Sequence, residues 1–112
     1  MVAIDLATGD RSVISGADEK GVEQGTGGPL ASASKISLDS ANNRGFVLDR
    51  TSVIMVDLPS VNRTLLSGDS KGAGPKLVTP GSLAIDLQNN RLFVGDSTRG
   101  AVFLYRLIRV TG

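Results

Sequence analysis

Four aspartates at a recurring spacing, Asp39 and Asp49, then Asp86 and Asp96, are the residues of this chain most able to do chemistry. Each pair brackets an Asn-Asn-Arg triplet: Asn42, Asn43 and Arg44 in the first, Asn89, Asn90 and Arg91 in the second. Carboxylate and amide oxygens drawn to one point would suit a hard cation such as Ca²⁺, which takes six to eight oxygen ligands. The competing reading is local. Asp and Asn beside a tight turn bond the nearby backbone, and a set that recurs at the same place in two copies serves structure, because catalysis usually breaks repeat symmetry. The Asn pairs and their arginines are therefore expected to build turns, with the four aspartates kept as candidate ligand or metal residues. Arg44 and Arg91 should pair with one of the repeated aspartates; binding a substrate anion is the alternative.

The rest of the composition excludes much. No Cys and no His occur among the 112 residues. That removes disulfides, a thiol nucleophile, Cys-based zinc cages and the usual general base near neutral pH. Serines are plentiful, but a Ser–His pair is impossible, and nothing marks Lys20, Lys35, Lys71 or Lys76 as the base of a Ser–Lys pair. Gly25-Thr26-Gly27-Gly28-Pro29 lacks the Gly-Lys-Ser/Thr that completes a phosphate loop, so it is expected to be a flexible connection. No catalytic residue is assigned and no cofactor is expected, Ca²⁺ being the one the side chains would admit.

Net charge is +1, which gives no field to gather nucleic acid or an anionic membrane. Arg99, Arg106 and Arg109 bias the C-terminal end toward basic, yet Phe103 and Tyr105 are the only aromatics among them, so RNA binding is not expected. Apolar runs stop far short of the roughly 20 residues that span a bilayer. With no basic, apolar leader visible, the expected compartment is the cytoplasm, or the exterior if a leader has been removed.

The elements that must position these residues come in copies. Residues 35–49 (KISLDSANNRGFVLD) align without a gap to 82–96 (SLAIDLQNNRLFVGD), with seven of 15 positions identical. Residues 4–16 (IDLATGDRSVISG) align to 56–68 (VDLPSVNRTLLSG), and 101–107 (AVFLYRL) to 52–58 (SVIMVDL). The length difference between copies falls in the glycine-rich stretch, where loops absorb insertions. The whole chain is thus one domain of two repeat units, about 4–55 and 56–107. Alternating apolar residues predict four strands per unit, at 36–39, 45–48, 52–58 and 63–67. The turn between the first two is predicted to place both Asn42 and Asn43 at positive φ, and helix should be almost absent.

Four antiparallel strands per repeat are the signature of a propeller blade. The run apolar-Asp, Asn-Arg-x-Phe-Val-x-Asp, Val-Ile-x-Val-Asp-Leu, Arg-Thr-x-x-Ser-Gly resembles NHL-type β-propeller repeats and their gluconolactonase-like and strictosidine-synthase-like relatives. The resemblance implies an all-β fold of two four-stranded blades plus an extra strand. Nine strands cannot close a ring of four to eight blades. Closure must come from other copies, a trimer being favoured, or the chain is part of a longer propeller. By the same resemblance the function is that of a binding or scaffold module, holding a protein or small molecule at the axial face. The alternatives are a lactonase-like or lyase-like hydrolase with an axial divalent metal, and an inactive fragment.

Overall fold

The computed structural model describes residues 1–98 and 100–106. Within them the chain is all-β: eleven strands in four antiparallel sheets, with two three-residue 3-10 turns. An N-terminal hairpin pairs β1 (Val2–Ile4) with β2 (Arg11–Val13), and a minimal one pairs β3 (Gly16–Ala17) with β4 (Glu23–Gln24). The central sheet runs in sequence order through β5 (Ala33–Asp39), β6 (Arg44–Asp49), β7 (Ser52–Asp57) and β8 (Arg63–Ser67). The second large sheet has three strands, β9 (Pro80–Asp86), β10 (Arg91–Asp96) and β11 (Ala101–Arg106).

The repeats seen in the sequence become repeats of register. Ile4 lies opposite Arg11 on the N-terminal hairpin, as Val56 lies opposite Arg63 on the central sheet. Asp39 faces Arg44, and Asp86 faces Arg91. Each strand alternates sides, so directly opposed residues share a face. Phe46, Leu48, Val53 and Met55 make one face of the central sheet, and Ile36, Val47, Ile54 and Val56 the other.

The core lies between the two larger sheets. Phe46, Leu48 and Val53 of the central sheet meet Leu92 and Val94 of the three-stranded one, with Leu83, Ile85, Phe103 and Tyr105 packed around them. Burying each large apolar side chain there contributes about 1.5–3 kcal/mol. The other face of the central sheet is covered unevenly. Val47, Ile54 and Val56 are buried, but Ile36 and Leu38 are 54% and 60% exposed. The far side of the three-stranded sheet is open, with Val102 71% and Leu104 44% exposed.

Two expectations need correction. The Asn-Asn turn is not a two-residue turn with both residues at positive φ. Ser40–Asn42 and Leu87–Asn89 form 3-10 turns, and only Asn43 (φ 49°) and Asn90 (φ 52°) enter the left-handed region that closes them. A 3-10 turn is tighter than an α turn, and Asn tolerates the left-handed exit better than most side chains. The stretch Gly25-Thr26-Gly27-Gly28-Pro29, expected to be a flexible connection, instead follows β4 directly and is pinned to β8, Arg63 donating its backbone N–H to Thr26 O and its Nε to Gly28 O.

Candidate functional site

The candidate carboxylates fall at two opposite ends of the sheets. Asp39 and Asp86 end β5 and β9, where the 3-10 turns begin. Asp49 and Asp96 end β6 and β10, five residue steps along the strand from Arg44 and Arg91. At about 3.3 Å per residue that puts roughly 16 Å between the two ends of each hairpin. Within a sheet the aspartates therefore do not converge. Among the described residues no group of three or more His, Cys, Asp or Glu side chains is placed to hold a metal ion.

Each aspartate serves its own repeat. Asp39 Oδ2 accepts from Asn42 Nδ2 at 2.9 Å and from Arg44 Nε at 2.7 Å. Asp86 Oδ2 accepts from Asn89 Nδ2 at 2.9 Å and from Arg91 Nη2 at 2.7 Å. Both guanidiniums lie 5.2 Å from a ring centroid, Arg44 over Phe46 and Arg91 over Phe93. Asp, Asn, Arg and Phe thus form one unit that locks the turn, with the cation held over the electron-rich ring face. At the other end Asp49 accepts from the backbone N–H groups of Ala31 and Ser32, and Asp96 from those of Val78 and Thr79. These bonds anchor the segment that leads into each first strand. Asn43 and Asn90 contribute backbone, each donating its N–H to the first carbonyl of its 3-10 turn.

Electrostatics separate the two copies. Asp39 is fully buried; burial is the largest single influence and would raise its pKa, but the bonds from Arg44 and Asn42, with the Arg44 charge, together hold it below the usual carboxylate range. Asp86 is also lowered, first by its hydrogen bond from Arg91 and then by that from Asn89. Asp39 Oδ1 has no hydrogen-bond partner, the one such buried side-chain atom among the described residues.

The most elaborate polar site was not singled out from the sequence. Arg63 on β8 is 6% exposed, and its guanidinium is enclosed by the segment from Ser15 to Gly28. Nε donates to Gly28 O at 2.8 Å, Nη1 to Ser15 Oγ at 2.8 Å and Gln24 O at 2.9 Å, and Nη2 to Glu23 Oε2 at 2.9 Å. Ser15 Oγ in turn donates to Val61 O. Here the glycines have a reason: Gly27 sits at φ 111°, and a Cβ there would collide with the Arg63 carbonyl. The available signal was the pairing of Arg11 with Arg63 in the repeat alignment, together with a long glycine loop after the first copy.

The basic bias noted at the C-terminal end falls mostly beyond the described residues. Arg106 is exposed on β11, and Arg99 and Arg109 lie outside the described residues. No protein family, curated protein or solved structure matches this chain.

Proposed function

We propose that this chain is a binding or scaffold module built from NHL-like propeller blades, closed into a ring with other copies of itself. Its ligand, a protein segment or small molecule, is held at the axial face of that ring. The carrying observation is that the repeated polar residues satisfy the chain's own backbone and arginines in both copies. Groups used twice for the same internal bonds favour architecture over chemistry.

Calcium titration followed by calorimetry, on the wild type and on Asp49→Asn and Asp96→Asn, separates this reading from a hydrolase with an axial metal. No saturable heat is expected, and both variants should melt earlier than the wild type by the same margin with or without Ca²⁺. Stoichiometric Ca²⁺ binding that disappears in the variants would overturn the module in favour of the metal-dependent enzyme.

A further inference from the structure

The interface between the two larger sheets has unfilled equivalents at both ends of the molecule. Under the repeat alignment, Phe46, Val53 and Met55 of its central-sheet side correspond to Phe93, Val102 and Leu104, which make the open face of the three-stranded sheet. Leu83, Ile85 and Phe103 of the opposite side correspond to Ile36, Leu38 and Ile54. Of those three, Ile36 and Leu38 are more than half exposed. The chain therefore carries both halves of an apolar contact it already makes once internally. Two complementary halves on different surfaces give a head-to-tail association, which closes as a ring if the rotation allows.

A second correspondence fixes the strand that joins. The outer edge of β11 pairs with no described strand, whereas its counterpart β7 pairs with β8. β2 repeats β8, and its Arg11 repeats Arg63, yet Arg11 is exposed and makes no side-chain bond among the described residues. Beside β11 lies a pocket of about 210 Å³ lined by Ser67, Gly72, Ala73, Pro75, Phe103 and Tyr105. Ser67 is the repeat equivalent of Ser15, and Gly72 stands where Gly25 stands in the loop around Arg63. The pocket thus occupies the place that holds a guanidinium in the preceding copy.

We infer that β2 of a second copy adds to the outer edge of β11, with its Arg11 entering this pocket against Tyr105. The register follows from the β7–β8 pairs: Tyr105 opposite Arg11, and Leu104 opposite Ser12. The strand that must give way is β1, which now occupies the place beside β2. It pairs at three positions, whereas β11 spans six residues and pairs with β10 at all of them. β1 is a plug on the seat. It lies against Ile36 and Val47 around a pocket of about 180 Å³, in the space that a neighbour's β9 and β10 would fill. Without β1 each copy supplies one, four and three strands from β2, β5–β8 and β9–β11, or two full blades. About three copies would then give a ring within the usual range of four to eight blades. This inference rests on the blade reading above and names its partner, a second copy, and the contact.

The chain has no cysteine, so single cysteines report this contact cleanly. Ser12→Cys and Leu104→Cys proteins are mixed, oxidised and run without reductant, alongside the sedimentation mass and thermal β signal of the wild type. A reducible heterodimer far exceeding either homodimer is expected, with a wild-type mass of several chains. Arg11→Ala should weaken association about tenfold while leaving the melt of the separated chain unchanged. A cooperatively melting β protein that stays a monomer and forms no Ser12→Cys to Leu104→Cys cross-link would overturn the inference and leave the blade reading standing. Loss of the cooperative β melt itself would overturn both.

Discussion

The central sheet and the three-stranded sheet begin from nearly the same sentence of residues and end in different environments. Phe46 is fully buried, while its equivalent Phe93 is only half-buried on an open face. Asp39 is fully enclosed, and the Asp86 side chain is 27% exposed although its partners are the equivalent Asn and Arg. The local unit uses the same four residue types in both, so the difference in burial belongs to the neighbours. A sheet covered on two sides turns its alternating residues into two cores, and a sheet covered on one side leaves half of them wet.

The strongest test of that contrast is a buried charge. Phe46→Asp should abolish the cooperative thermal transition, because an unpaired carboxylate between the two sheets has no partner there. Leu104→Asp, on the open face of β11, should leave the transition of the separated chain in place. Equal damage from both would mean that the far side of the three-stranded sheet is covered after all.

Next in size is the arginine pair. Arg63→Met should destabilise the chain in urea denaturation by about 1–3 kcal/mol for each enclosed loop carbonyl left without its donor, those of Gln24 and Gly28. Arg11→Met, at the equivalent but exposed position, should change stability by less than about 0.5 kcal/mol. A small loss at Arg63 would show that the loop from Ser15 to Gly28 holds its shape without the guanidinium.

The turn aspartates sharpen the comparison further. Asp39→Asn should cost about 2 kcal/mol through the charge-assisted bond to Arg44, and Asp86→Asn clearly less. The smallest effect is on acid stability. Both carboxyls titrate below their ordinary range when folded, so their contribution is present above the unfolded value and is lost as the pH falls through the folded one. Thermal melts between neutral pH and pH 2 should therefore fall less steeply for the Asp39→Asn, Asp86→Asn double variant than for the wild type. Parallel curves would assign the acid loss to other groups.

Much of the local structure was legible in the chain. Strand order, the repeat offsets and the partnership of Arg44 and Arg91 with repeated aspartates follow from side-chain alternation and turn chemistry, which act over a few residues. The β3–β4 hairpin was not legible, because a glycine-rich stretch has no apolar alternation and takes its shape from Arg63, 35 residues beyond Gly28. The form of the Asn turns was missed for a subtler reason. Asn42 and Asn89 use their side chains on Asp39 and Asp86, so the backbone at those positions stays in the 3-10 turn and only the following Asn turns left-handed.

What the sequence determined by itself is the repeated unit: where strands run, where they turn and which carboxylate meets which guanidinium. These are contacts between near neighbours, and residue type settles them. Which copy becomes interior, which arginine is enclosed and which apolar face stays open were decided by tertiary structure alone. Burial depends on what lies across the sheet, and two stretches of chain built on the same pattern carry no record of which will have a neighbour there.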